Sequence, residues 1–299
     1  MPSRRSVLAF VLAFSLVATG AVVVGVSYEA ADRLVHPPRE TSARTPETVG
    51  LGFARERLVT DDGLHLSAWW IPVAAPGAPT VVFLHGYGAS KVQALDVAPF
   101  LHAAGYNVLA FDFRAHGESE GTYTTFGLDE VLDVRAALAW LHDFAAVNDT
   151  RVALFGWSMG AAAALNSARA TGEIHVAALV LDSPFAALDD VTSTAFQRET
   201  GLPAHPFAEL SVRIASWMIH KSVEDDRPVD RARGLTLPLL IIQGLSDSLV
   251  PRQDAVELHE AAGESELWLV PHADHVDAVH TDPQGYEQHV LEFLAASLA

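Results

Sequence analysis

The stretch VALFGWSMGAAAAL, residues 152–165, decides how this chain is interpreted. Val152–Phe155 is a continuous apolar run, which is typical of a strand buried on both faces. Residues 156–160 read G-x-S-x-G, and Ala161–Leu165 is rich in strong helix formers. The motif therefore lies between a predicted strand and a predicted helix, which is the context that gives it meaning.

The chemistry expected of this turn follows from its geometry. A sharp strand-to-helix turn brings two backbone segments together, and glycines at positions 156 and 160 avoid the clash. Such a turn lifts the Ser158 hydroxyl out of the sheet at a helix N-terminus, where negative charge is favoured. An isolated G-x-S-x-G can be an ordinary turn, but the flanking pattern favours Ser158 as a nucleophile.

Apolar runs alternate with helical stretches on both sides of the motif, which indicates a parallel sheet covered by helices on both faces. The further runs are Val81–Leu84, Val108–Phe111, Ala177–Leu181, Leu239–Ile242 and Leu267–Val270. Upstream, Arg55–Thr60 and Leu64–Ile71 flank Asp61-Asp62-Gly63, a turn sequence that predicts a hairpin. A final helix is expected near Pro283–Leu298.

A serine hydroxyl needs a base, and the base needs an orienting acid. Asp247 follows the run ending at Ile242 and is the predicted acid, with Asp182 as the alternative. His275 follows the run ending at Val270 and is the predicted base, with His272 as the alternative. The order serine, aspartate, histidine is the one usual on this kind of sheet.

Backbone amides are the predicted donors to a developing oxyanion. The candidates are the amide of Met159, directly after the nucleophile, and that of Tyr87 in the His85-Gly86-Tyr87-Gly88 loop. A metal site is the weaker interpretation of the cluster made by His272, Asp274, His275, Asp277 and His280. It lacks an i, i+4 histidine pair with a nearby glutamate, so neither a metal nor another cofactor is predicted.

The N-terminal residues predict a membrane segment. Ser6–Tyr28 contains 23 residues without a formal charge, enough to span a bilayer, and Arg4 and Arg5 precede it. Positive residues stay in the cytoplasm, so a single-pass anchor over residues 1–28 would place the rest of the chain outside it. Two alternatives stay open: cleavage near Ala18–Ala21 with secretion, and a twin-arginine export signal. Residues 29–54 are expected to form a tether.

Composition restricts the possible functions further. Of 299 residues, 50% are hydrophobic and 19% charged, which excludes a disordered chain. The 19 Lys and Arg against 37 Asp and Glu give a net charge of −18, which argues against a nucleic-acid partner. The absence of cysteine excludes disulfides, thiol catalysis and iron–sulfur clusters. The sequence carries no signal of oligomeric state.

The motifs together resemble the α/β-hydrolase superfamily over about residues 55–299. The matching pieces occur in the family's order: His85–Gly88, Asp112–Ser119, Gly156–Gly160, the Asp247 loop and the His275 loop. Within the superfamily the chain is most similar to bacterial membrane-anchored or secreted serine hydrolases described as esterase, acylglycerol lipase-like or serine aminopeptidase-like. One departure is Ala115, where relatives commonly have glycine.

The resemblance implies a fold and an activity. The fold would be an eight-stranded, mostly parallel sheet flanked by helices, with Ser158, Asp247 and His275 as nucleophile, acid and base. The 57 residues between Leu181 and Leu239 resemble a helical cap, about 185–235, either an apolar lid or an element packed on the body. Ester hydrolysis of a hydrophobic acyl substrate is the default. Peptidase, thioesterase, acyltransferase and non-catalytic binding functions stay open.

Overall fold

A computed structural model describes residues 3–40, 42–143, 147, 151–168, 175–223 and 226–299. One eight-stranded sheet forms its centre, with the strand order β1-β2-β4-β3-β5-β6-β7-β8. The strands are β1 (Ala54–Val59), β2 (His65–Ile71), β3 (Thr80–Leu84), β4 (Asn107–Phe111), β5 (Val152–Trp157), β6 (Val176–Asp182), β7 (Leu239–Gly244) and β8 (Ser265–Val270). Strand β2 is antiparallel to both of its neighbours, and all other pairings are parallel.

Helices cover both faces of this sheet. The described residues form the helices α1 (Arg4–Val35), α2 (Ala98–Ala103), α3 (Glu130–Asp143), α4 (Met159–Ser167), α5 (Leu188–Thr200), α6 (Ala204–Ile219), α7 (Pro228–Ala232), α8 (Arg252–Ala261), α9 (Ala278–Thr281) and α10 (Pro283–Ser297), of which α1 packs against α6. Successive strand residues point to opposite faces, so Val82 and Leu84 of β3 lie in one hydrophobic cluster. Val81 and Phe83 of the same strand lie in the other.

The predicted fold class is confirmed. Each of the six apolar runs forms a strand, the Asp61-Asp62-Gly63 turn joins β1 to β2, and the final helix is α10. Strands β3, β4, β5 and β7 are fully buried because helices cover both faces, and in β6 one residue, Ala177, is partly exposed. Their carboxyl ends meet at one edge of the sheet, and the loops at that edge hold all the predicted site residues.

The segment after the apolar stretch differs from a free tether. Helix α1 continues to Val35, and its last part packs against α6. Ser27, Ala31 and Val35 are buried because a spacing of four residues places them on one helix face. The Ser27 hydroxyl donates a hydrogen bond to the Phe207 carbonyl at 3.1 Å. The domain limits at residues 28 and 54 stay predictions.

The insertion between β6 and β7 is helical, as the resemblance implies. It contains α5, α6 and α7. On α6, Ala208, Val212, Ala215 and Ile219 are buried, and Ile214 and Met218 pack against the same hydrophobic cluster. Trp217 is 70% exposed. Most of the apolar residues of α6 thus pack on the body and on α1.

Candidate active site

Ser158 lies in the turn between β5 and α4, with the unusual backbone angles φ 52° and ψ −113°. A Cβ atom at position 156 would collide with the Gly160 carbonyl group, and one at position 160 with the carbonyl oxygens of Leu84 and His85. Only glycine fits at either position. Strained angles of this kind cluster at functional sites, where the surrounding structure holds them in place.

A continuous hydrogen-bonded relay joins the three residues singled out from the sequence. His275 Nε2 lies 2.9 Å from Ser158 Oγ, and His275 Nδ1 lies 2.9 Å from Asp247 Oδ2. The residues are 117 and 28 positions apart along the chain. The serine and imidazole side chains are partly exposed, so a substrate can approach them.

Four hydrogen bonds hold the buried Asp247 carboxylate. Its Oδ1 accepts from the backbone N–H groups of Leu249 and Val250 at 2.9 and 2.8 Å. Its Oδ2 accepts from the Gln243 side-chain amide at 3.0 Å, in addition to the imidazole. The carboxylate therefore has one fixed orientation toward His275.

Asp274 ties the acid loop to the base loop. Its Oδ1 accepts from the Ser248 N–H, the Ser248 hydroxyl and the His275 N–H, each at 2.8 Å. These hydrogen bonds, that from the Ser248 N–H foremost, lower the pKa of Asp274. The two loops also approach closely, since a Cβ at Gly244 would collide with the Ala273 carbonyl.

Asp182, the alternative acid, and His272, the alternative base, lie outside the hydrogen-bonded series of Ser158, His275 and Asp247. Asp182 accepts hydrogen bonds from the Tyr286 hydroxyl at 2.7 Å and the Ser183 hydroxyl at 3.1 Å. Burial raises the pKa of Asp182 to about 6. His272 is exposed on a turn with a positive φ of 65°. His275 is the histidine hydrogen-bonded to Ser158, and Asp247 is the carboxylate hydrogen-bonded to His275.

The loop after β3 lies against the serine. A Cβ built on Gly86 would lie 3.7 Å from Ser158 Cβ, so the Tyr87 backbone is close to the nucleophile. The Met159 N–H opens α4, where the first amides have no partner inside the helix. The Tyr87 side chain, whose role the sequence left open, stacks on Phe126 with ring centroids 5.5 Å apart. Its hydroxyl donates to the Arg33 carbonyl.

Helix α5 of the insertion contacts the acid loop. The Arg198 guanidinium donates to the Ser248 hydroxyl at 2.9 Å. Burial raises the pKa of Tyr87, and the negative charge of Glu199 raises it further. The carboxyl end of α5 therefore adds charged groups of both signs to the surroundings of the site.

Sequence reasoning did not identify the ion pairs that support these loops. Lys91 is buried and contacts Asp112 at 2.5 Å and Glu118 at 2.8 Å. Arg114 pairs with Asp133 at 2.7 Å. The Asp112–Ser119 motif marked this loop in the sequence, but it does not indicate which residues its charged side chains pair with. Ala115 in this motif adopts a φ of 61°, a conformation that favours glycine.

Several residues of the candidate metal cluster make contacts of another kind. Asp274 and His275 serve the loop contacts and the relay described above, and His280 pairs with Asp96 at 3.8 Å. Among residues 3–40, 42–143, 147, 151–168, 175–223 and 226–299, no three His, Asp or Glu side chains are grouped to hold a metal ion.

Comparison with known proteins gives one consistent result. Residues 79–215 match the model of a protein family described as having the alpha/beta hydrolase fold. A solved structure of the Pyrococcus furiosus esterase Pf2001 is 31% identical, covers 89% of this chain and 99% of its own, and superposes with a TM-score of 0.75. The Mycobacterium tuberculosis protein Rv2307c is 31% identical over 292 residues, 96% of this chain and 93% of its own. The Schizosaccharomyces pombe protein bem46 is 25% identical, over 92% of this chain and 89% of its own.

Proposed function

Because the chain belongs to the α/β-hydrolase family, we propose that it is a serine hydrolase that cleaves carboxylic ester bonds. The observation that carries this proposal is the unbroken relay from Ser158 through His275 to Asp247, with both links at 2.9 Å. Nucleophile, base and orienting acid in hydrogen-bond contact are what acyl transfer through a serine requires.

In the first step His275 Nε2 takes the proton of the Ser158 hydroxyl as its oxygen attacks the substrate carbonyl carbon. The negative charge that develops on the carbonyl oxygen is stabilised by the Tyr87 and Met159 amides. Preorganised donors of this kind contribute about 3–4 kcal/mol each to transition-state stabilisation. The alcohol then leaves with the proton from His275, and an acyl-enzyme on Ser158 remains.

In the second step water hydrolyses the acyl-enzyme by the reverse of the first step. His275 takes a proton from the water as its oxygen attacks the acyl carbon, and returns that proton to Ser158 when the acid product leaves. Asp247 holds the imidazole with Nδ1 protonated and stabilises its charged form. The mechanism needs no cofactor.

Ester substrates are supported by the Pf2001 structure, an esterase 31% identical to this chain. A series of p-nitrophenyl esters of increasing acyl length would measure the chain-length preference. Parallel assays with thioesters and peptide amides test the thioesterase and peptidase alternatives. Product analysis with an added alcohol acceptor tests acyltransferase activity, in which the acceptor replaces water.

Replacement of the nucleophile tests the proposal directly. We expect Ser158→Ala to abolish labelling by a fluorophosphonate probe and to lower ester turnover by at least about 10⁴-fold. Ser167→Ala is the matched control, because Ser167 is buried and its hydroxyl has no hydrogen-bond partner within the described residues. Labelling that persists in Ser158→Ala, or unmodified protein that neither labels nor turns over esters, would contradict the proposal.

For its location, the proposal includes a single-pass membrane anchor with the catalytic domain outside the cytoplasm. Helix α1 has 32 residues and a mean hydropathy of 2.6 over its most apolar window, and none of that window is buried. Arg4 and Arg5 at its start support a cytoplasmic N-terminus. Cleavage of this segment and secretion is the alternative.

A further inference from the structure

The segment at the end of α1 contacts the loops around Ser158 from several directions. We call residues 27–40 the brace. On one side Ser27, Ala31 and Val35 of the brace are buried where α1 packs against α6. On the other side, the brace faces the loop after β3 and the Asp112–Gly121 loop after β4. It therefore joins the apolar helix to the site.

The brace holds the loop after β3 at three points. The Arg33 carbonyl accepts from the Tyr87 hydroxyl, and the ring of Tyr87 is fixed on its other side by Phe126. Pro38 lies 3.4 Å from the position of a Cβ on Gly88. The Ser90 hydroxyl donates to Glu40 at 2.7 Å. The loop contains Gly86 and Gly88, so it relies on such outside contacts for a single conformation.

Arg39 clamps the second loop. Its guanidinium donates to the carbonyl oxygens of Gly117 at 3.0 Å and Gly121 at 2.8 Å, and also to that of Ser119. This loop is in turn linked to the Tyr87 loop, because Lys91 binds both Asp112 and Glu118. With the His116 carbonyl, which accepts at 3.4 Å, one arginine of the brace thus fixes four carbonyl groups that are more than 75 residues away in sequence.

We propose that the brace is a positioning element of the active site, in which the Arg33 carbonyl and the Arg39 guanidinium keep the Tyr87 amide aimed at the oxyanion. This inference rests on the proposed function. An oxyanion donor acts only within about 2.7–3.1 Å of the charged oxygen, so small displacements of its loop weaken the transition state. The brace touches neither the Ser158 nucleophile nor the reacting atoms, and its residues act through Tyr87.

The brace also bears on how the N-terminus is processed. The alternative cleavage site at Ala18–Ala21 precedes Ser27, so cleavage there would leave every brace contact attached to the domain. Loss of residues 27–40 would instead remove the Arg33 and Arg39 contacts. Anchored and cleaved forms of the protein would therefore share the same site geometry.

The test uses full-length protein in detergent or lipid, with Tyr87→Phe as the main variant. It removes the hydroxyl bound to Arg33 and keeps the backbone amide and the stacked ring. We expect kcat for esters to fall about tenfold, a fraction of the effect of losing a donor outright, with KM within about twofold. Binding of a trifluoromethyl ketone transition-state analogue should weaken by the same factor as kcat. Tyr123→Phe, at a tyrosine of similar exposure, should change none of these values.

Arg39→Met gives an independent test, since it breaks the clamp on a different loop. It should lower kcat in the same manner, and Arg44→Met, at an exposed arginine five residues further on, should not.

If either brace variant fails to fold, insertions replace it. Two alanines between Gly25 and Val26 precede the brace and should leave kcat unchanged. Two alanines between His36 and Pro37 separate Arg33 from Arg39 and should lower kcat at least about tenfold.

The outcomes separate this inference from the proposed function. If the unmodified protein hydrolyses esters, and the brace variants or the His36–Pro37 insertion match their controls in kcat and in ketone binding, the inference is wrong and the proposed function stands. An effect on KM alone would also overturn it. If the unmodified protein neither labels nor turns over esters, the proposed function fails and the brace proposal fails with it.

Discussion

The Asp247 carboxylate shows how strongly the base, His275, depends on the group that orients it. We expect Asp247→Asn to lower kcat by about 10³–10⁴-fold with little change in KM. An amide in this position can donate toward His275 Nδ1, so it favours the wrong tautomer of the base. Steady-state ester kinetics measure this effect, and a far-UV circular dichroism spectrum verifies the fold.

Asp182→Asn is the contrasting variant, because Asp182, the last residue of β6, was the alternative acid. Its side chain accepts hydrogen bonds from Tyr286 and Ser183, so we expect kcat to change by less than about tenfold. Equal losses in the two variants, or the larger loss at Asp182, would show that the acid has been assigned to the wrong residue.

At the scale of residues, the sequence was sufficient to single out Ser158, Asp247 and His275, which the structure joins by hydrogen bonds, because each follows a strand end. Their catalytic roles stay a prediction. The contacts of Gln243, Asp274 and Arg39 could not be found in this way. Each makes its contacts through the path of a loop, as when Asp274 accepts from Ser248, 26 positions away. No periodicity in the sequence records such a contact.

Helix α1 illustrates what hydropathy does and does not reveal about an element. The apolar stretch was clear, but the helix extends seven residues beyond Tyr28, to Val35. The docked end contains Glu29, Asp32 and Arg33, so its mean hydropathy is low. The signal that could have identified it was the spacing of Ser27, Ala31 and Val35, which places three small or apolar residues on the helix face that packs against α6.

The proposed membrane anchor formed by α1 can be tested by extraction. Full-length protein should stay in the membrane pellet after alkaline carbonate extraction. Leu12→Arg together with Leu16→Arg should release it, since an arginine at the centre of a bilayer helix costs about 2.5–3.5 kcal/mol. Leu202→Arg, at an exposed position in the loop before α6, is the control and should have no effect. A mature N-terminus near Ala21 in released protein would support cleavage instead.

For the whole molecule, buried titratable groups contribute to the pH dependence of stability with opposite signs. Burial raises the pKa of Asp182, Asp226 and Asp254 from 3.8 to about 6. Between these values the unfolded chain has released protons that the folded chain retains, so the contribution of these carboxyls to the free energy of unfolding falls as pH rises, by roughly 3 kcal/mol per group at most. Burial also lowers the pKa of His85 and His116, whose contribution therefore rises with pH.

We expect the Asp254 carboxyl to show this contribution in the thermal midpoint. Asp254→Asn cannot ionise, so from pH 5 to pH 7 the midpoint of the unmodified protein should fall more, or rise less, than that of the variant. Asp61→Asn, at an exposed carboxyl, should show the same change as the unmodified protein. Thermal melts in one detergent at both pH values provide the measurement. An Asp254→Asn profile identical to the unmodified one, or a difference of the opposite sign, would contradict the expectation.

Fold class was the most predictable property of the whole chain, because six apolar runs and one hairpin turn leave few alternatives to a helix-covered parallel sheet. The order of the strands within the sheet was not predictable from these runs. Strand β3 lies between β4 and β5, and β2 pairs with β4 rather than with β3. Neighbours in a sheet depend on how crossovers pack, which the runs themselves do not encode.

The length of α1 has a consequence for how this protein meets its substrates. Thirty-two residues extend about 48 Å, against about 30 Å for the hydrocarbon layer, and the excess is docked instead of swinging freely. With α1 in the bilayer, the serine is carried at a fixed height above the lipid and moves only laterally with it. For a substrate dissolved in the lipid, encounter rates would then follow the number of substrate molecules per unit of lipid area, and turnover would change on dilution of the substrate into more vesicles at constant bulk concentration.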